Sequence, residues 1–105
     1  MERADRLALL QDQFRDRFLM PRIGMRLSPQ DAWEYIQAGK GHGLVFVGVE
    51  GYSPTPGGHR VDMEWGNDIA HSNMTQEEFE KSTYELLLKG ERAGVIFEVF
   101  FDIYS

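Results

Sequence analysis

Apolar residues recur near the N-terminus at helical intervals. Leu7, Leu10, Phe14 and Phe18 fall three and four apart, which puts them on one side of a helix over residues 2–19. Asp12 and Arg15 stand at the spacing where helical side chains meet. Pro21 ends this helix, because the residue before a proline is driven out of the α region. Residues 22–27 alternate instead, so Ile23, Met25 and Leu27 share one side of a short edge strand or linker. Ser28 and Pro29 open a second helix over 29–38: the serine caps free N–H groups and the proline suits the first helical position. Ala32, Trp33, Tyr35 and Ile36 are its apolar part, and Gly39 stops it.

The second half changes period. Leu44–Val49 is a β-branched, aromatic run, apolar on both sides, as in a central strand. Residues 51–58, with two prolines and three glycines, predict a loop. Arg60–Trp65 alternates strictly, so Val61, Met63 and Trp65 face the core while Arg60, Asp62 and Glu64 face water. The two strands form a hairpin with a long tip. After an irregular stretch over 66–74, Thr75-Gln-Glu-Glu78 is a capping box. It opens a helix over 76–89 whose core side carries Phe79, Thr83, Leu86 and Leu87, with Gly90 as its stop. Residues 95–104 form a last strand. Val95, Phe97, Val99, Phe101 and Ile103 occupy one side of it; Ile96, Glu98, Phe100, Asp102 and Tyr104 occupy the other.

Helices and strands do not alternate in the manner that builds a parallel sheet. The expectation is a single α+β domain over 1–105, with a mainly antiparallel sheet of three or four strands packed against two or three helices. A length of 105 residues and thirteen aromatic side chains allow a core without staples. The absence of cysteine removes disulfides, zinc ribbons and thiol chemistry. No secretory h-region and no apolar run of bilayer length are visible, so the expected location is the cytoplasm, without a membrane partner.

Charge adds more. The net charge is −6, unevenly spread: residues 1–42 carry a net +1 and residues 43–105 a net −7. Such a field repels nucleic acid and attracts a basic protein. Gly39–Gly43 is not a phosphate loop, because a helix enters it and a strand leaves, which offers the wrong helix end. Asn73-Met74-Thr75 fits a glycosylation sequon, but Thr75 already serves as a cap. His42, His59 and His71 have no metal-ligand spacing, and His59 and Asp62 point to opposite sides of a strand. Asp62 and Glu64 lie about 7 Å apart on one side of a strand, a pairing seen in acid–base work but equally in a solvated sheet. No catalytic residue, cofactor or metal ion is expected.

The residues that remain are carboxylates mixed with rings along one stretch. Glu50, Tyr52, His59, Asp62, Glu64, Asp68 and His71 form the candidate partner-binding patch, with Glu50 near Arg60: rings supply contact energy, and charge supplies steering. The Val61–Asp68 segment, the Thr75–Phe79 helix start and the Gly94–Glu98 strand give the chain a resemblance to immunity proteins of bacterial polymorphic or contact-dependent toxin systems. Those are small, acidic, cysteine-poor α+β proteins without catalytic motifs. The resemblance implies an inhibitor that binds a cognate toxin and occludes its active site or substrate surface. Two other readings stand beside it: a small adaptor or homo-oligomeric interaction protein, and a small hydrolase using His59 or His71 with Asp62, Glu64 or Asp68.

Overall fold

Local caps start the second and third helices, and each of these helices rests a glycine on a phenylalanine of the last strand. The computed structural model describes residues 2–19 and 24–104. In chain order the elements are α1 (Arg3–Gln13), a 3-10 turn at Arg15–Arg17, β1 (Arg26–Leu27), α2 (Pro29–Gly41), β2 (Val45–Thr55), β3 (Gly58–Asp68), a 3-10 turn at Ile69–His71, α3 (Gln76–Ala93) and β4 (Ile96–Asp102). The four strands form one antiparallel sheet in the order β1-β4-β2-β3, with the helices against one of its faces. The chain has the expected α+β fold.

The starts of α2 and α3 follow the sequence. The Ser28 hydroxyl accepts from the Asp31 N–H at 3.3 Å. Thr75 and Glu78 complete the capping box, the Glu78 N–H donating to the Thr75 hydroxyl and the Thr75 N–H to the Glu78 carboxylate. Hydrogen bonds to the carboxylate from the Thr75 N–H, then from the Thr75 side chain, hold the exposed Glu78 carboxyl below its ordinary pKa.

The helix ends differ from expectation. α2 runs through Gly39 to Gly41, and α3 runs through Gly90 to Ala93. Neither glycine is a stop. A Cβ on Gly39 would lie 2.3 Å from the Phe101 ring, and one on Gly90 would lie 2.7 Å from the Phe97 ring. Both are close-approach points at which a helix backbone rests on a ring from β4. The true left-handed positions are Gly43, at φ +79°, and Gly94, at φ +71°. The first helix also stops early, at Gln13, so Pro21 is not its terminator. The break after Phe14 lets Phe14 and Phe18 each set a ring edge against Tyr35, at centroid distances of 5.2 and 5.6 Å. Pro21 and Ile23 lie outside the described residues.

The hairpin is tighter than composition suggests. β2 continues through Pro54 to Thr55, and only Pro56 and Gly57 turn. Pro54 is tolerated because β4 pairs with β2 only as far as Tyr52, so beyond it the proline side of β2 needs no donor.

The core gathers Phe46, Val49, Phe97 and Phe101 from the sheet with Leu10, Phe14, Tyr35, Ile36, Phe79 and Leu87 from the helices. Burial pushes the Tyr35 phenol up to about 12. Thr83, the one buried polar residue among those described, donates to the Phe79 carbonyl at 2.9 Å and accepts from Asn67 Nδ2 at 3.1 Å. It thereby fastens α3 to β3. Thr83→Val keeps the shape but leaves the Asn67 amide without its acceptor, for an expected loss of about 1–2 kcal/mol in urea unfolding.

Candidate functional site

The helices cover one face of the sheet and leave the other open. Strand pairing fixes what lies on it. Arg26 on β1 stands opposite Glu98 on β4, which stands opposite Glu50 on β2. Gly48 and Phe100 form the next pair on that face, and Tyr52 is opposite both Ile96 and Val61. The centre of the open face is therefore a row of three charges, Arg26–Glu98–Glu50, flanked by apolar side chains.

Two like charges directly opposite on neighbouring strands repel. The surroundings partly manage this. Arg26 reaches across β4 and places its guanidinium 3.8 Å from the centre of the Tyr52 ring. The Tyr52 hydroxyl donates to Glu50 at 3.1 Å. Burial, then the Glu50 charge, raise the Glu98 pKa above its ordinary value, with Arg26 opposing them. Burial and the hydrogen bond to Glu50 raise the Tyr52 phenol as well.

Beside this row lies an open groove of about 550 Å³. Val47, Met63 and Phe100 give it apolar surface, and Glu50, Asp62, Asp68 and His71 give it acidic and polar walls. No lysine or arginine lines it. Met63 is 89 % exposed and Phe100 40 %.

This arrangement corrects the reading of Arg60–Trp65. Val61 and Met63 face the open side, not the core; of the three apolar residues only Trp65 packs on it. The cause is an irregularity in the ladder. Val49 pairs with Asn67 and Gly51 with Asp62, so Met63–Gly66 stand against the single residue Glu50. The extra residues turn Trp65 over to the helix side, where Gly51 leaves room: a Cβ there would lie 2.3 Å from that of Trp65.

Four of the seven candidate residues, Glu50, Asp62, Asp68 and His71, line the same groove, and Tyr52 joins them through Glu50. Asp62 also accepts from the Ser53 hydroxyl at 2.8 Å, and Asp68 caps the turn at Ile69 through the Ala70 N–H. Glu64 does not line this groove but a second hollow along the hairpin, with Arg60 and Thr55, which shares Asp62 and Met63 with the first. His59 stands apart at the hairpin end, 3.3 Å from the Gly94 carbonyl. Arg60 is opposite Ser53 rather than close to Glu50. Arg26, Glu98, Val47, Met63 and Phe100 are members of this face that the sequence patch did not include.

The histidines have separate local partners. His42 meets Gln13 at 3.1 Å, His59 meets the Gly94 carbonyl, and His71 lies 3.5 Å from Asp68 with its side chain mostly in water. Among the described residues no three of His, Asp or Glu converge as ligands for a metal ion, and no helix is long and apolar enough to cross a membrane. What the open face can do chemically is present apolar contacts framed by carboxylates, the arrangement that suits a basic protein surface. Neither protein-family models nor curated proteins give a match to this sequence.

Proposed function

We propose that the chain is an immunity-type inhibitor that binds a cognate toxin with a basic surface and neutralises it by occlusion, in the cytoplasm of the cell that makes both. One observation carries this reading. The helix-free face of the sheet joins exposed Met63, Phe100 and Val61 to the carboxylates of Glu50, Glu98 and Asp68, which outnumber the one base among them, Arg26. Exposed apolar side chains supply contact energy once water leaves, and a surplus of carboxylates steers a positive partner and rejects wrong ones. Pairing two copies through this face would bring the same carboxylates against one another, which weighs against a homo-oligomer formed there. A hydrolase would have to work through His71 and Asp68, which stand in water at a turn.

The test is to co-express the chain with the polypeptide encoded beside it and purify by a tag on either. A complex that abolishes the partner's toxicity is expected. Met63→Ala should weaken it about tenfold, since a protruding apolar residue of this kind anchors an interface. Joint reversal of Asp62, Glu64 and Asp68 to lysine should slow association and flatten its salt dependence. A complex whose affinity and salt dependence ignore both sets of changes would overturn this face as the binding surface.

A further inference from the structure

The helical side of the molecule carries a second feature, independent of the inhibitor reading. α2 and α3 lie side by side and antiparallel, joined at one end by Lys40 and Glu80 at 2.7 Å and at the middle by Trp33 and Tyr84. Toward the start of α2 and the end of α3 they leave a groove of about 360 Å³. Trp33 and Tyr84 line it, their rings 4.8 Å apart between centres and inclined at 57°. Leu87 and Leu88 supply apolar surface, and Glu34 and Glu91 line it too. Elsewhere α3 shows water a charged surface of Glu77, Lys81, Glu85, Lys89 and Arg92. Tyr84 and Leu88, four residues apart, interrupt that surface with one exposed apolar stripe beside Trp33.

The lining selects among occupants. No lysine or arginine lines the groove. Glu34 shares Arg17 with Asp31, and Glu91 has no ion pair among the described residues, so the groove keeps a negative field. An anion is repelled. A neutral apolar group would strip water from the carboxylates and return nothing to them. An arginine satisfies each part. Its planar guanidinium stacks on an indole or phenol face, its N–H groups donate to carboxylates, and its methylene stem covers leucine. We propose that the α2–α3 groove binds an arginine side chain presented by a partner polypeptide. The site is distinct from the open sheet face, so the molecule can engage basic surfaces on two sides.

The experiment titrates the full-length, isotopically labelled chain with N-acetyl-arginine amide, followed by amide and indole N–H resonances. N-acetyl-citrulline amide, of the same shape but neutral, is the control. The arginine compound should move the Trp33 indole N–H and the Leu87 and Leu88 amides and leave the Trp65 indole still. The citrulline compound should bind roughly tenfold more weakly, and Glu91→Gln should weaken arginine binding severalfold while the spectrum of the fold is kept. Equal responses to the two compounds, shifts centred on Glu50 and Glu98 in place of Trp33, or no response up to the solubility of the compound would each overturn the proposal. None of these readouts depends on a toxin, so this inference and the inhibitor reading stand or fall separately.

Discussion

Gly39→Ala is expected to destabilise the protein by about 2 kcal/mol, although alanine is the better helix former by about 1 kcal/mol. The new methyl would lie 2.3 and 2.5 Å from two carbons of the Phe101 ring. That ring cannot swing away, because Tyr35 and Phe46 pack against it at centroid distances of 5.5 and 6.4 Å. Relief requires α2 to lift from the sheet, which opens the core along its length. Gly41, two residues on in the same helix, is the internal control. A Cβ there meets nothing within 4 Å, so Gly41→Ala should stabilise by about 0.5 kcal/mol through the unfolded chain and helix propensity. Gly90→Ala should resemble Gly39→Ala, with its contact on Phe97. Denaturant unfolding of the three variants gives opposite signs if close approach is the cause. Phe101→Leu in the Gly39→Ala background should then cost less than Phe101→Leu alone, since the two sites share one space. Equal stabilities for Gly39→Ala and Gly41→Ala would refute this account of the helix–sheet contact.

These glycines show where reading the sequence reaches its limit. Gly39 and Gly90 each follow an apolar periodic stretch, which is the local signature of a helix stop. What makes them something else is, for each, a phenylalanine on β4: Phe101, sixty-two residues from Gly39, and Phe97, seven from Gly90. The capping residues Ser28 and Thr75 were legible because their partners lie three residues on. The two sides of β4 were legible because alternation there is unbroken: Phe97, Val99 and Phe101 face the helices and Glu98 and Phe100 do not. Alternation failed on β3, where Met63–Gly66 oppose the one residue Glu50 and reverse Met63 relative to Trp65. The patch was partly legible for the same kind of reason. Glu50, Asp62, Asp68 and His71 lie on two strands joined by a hairpin and on the turn after it. Arg26 and Glu98 come from elements whose register with β2 no local pattern encodes.

Glu50→Lys is expected to move stability and partner binding in opposite directions. In the wild-type row Arg26–Glu98–Glu50, two carboxylates face one another across β4 and β2. Lysine at position 50 makes the signs alternate, and removal of a like-charge cross-strand pair should stabilise the fold by about 0.5 kcal/mol, a few degrees in Tm at this chain length. The pH dependence identifies the cause. Burial, then Glu50, raise the Glu98 pKa, so the folded protein holds this proton more tightly than the unfolded chain does. That contribution to stability is fully present below the ordinary glutamate value of about 4.3 and is lost as pH rises through the raised value in the fold. With Lys at position 50 one cause of the shift is gone and the window narrows. The gain in Tm over wild type should therefore be larger near neutral pH and shrink below about pH 4. The Tyr52 phenol, held up partly by Glu50, should ionise at lower pH in the variant, which absorbance titration reads directly. On the proposed reading binding goes the other way: a new cation at the centre of a face proposed to meet a basic partner would place like charges together in a desolvated contact, for an expected loss of about 100-fold in affinity. A residue whose replacement strengthens the fold and weakens the complex is one whose strain serves recognition. A less stable variant would show that the Glu50–Glu98 repulsion is not felt, and undiminished affinity for the proposed partner would place the contact on another surface.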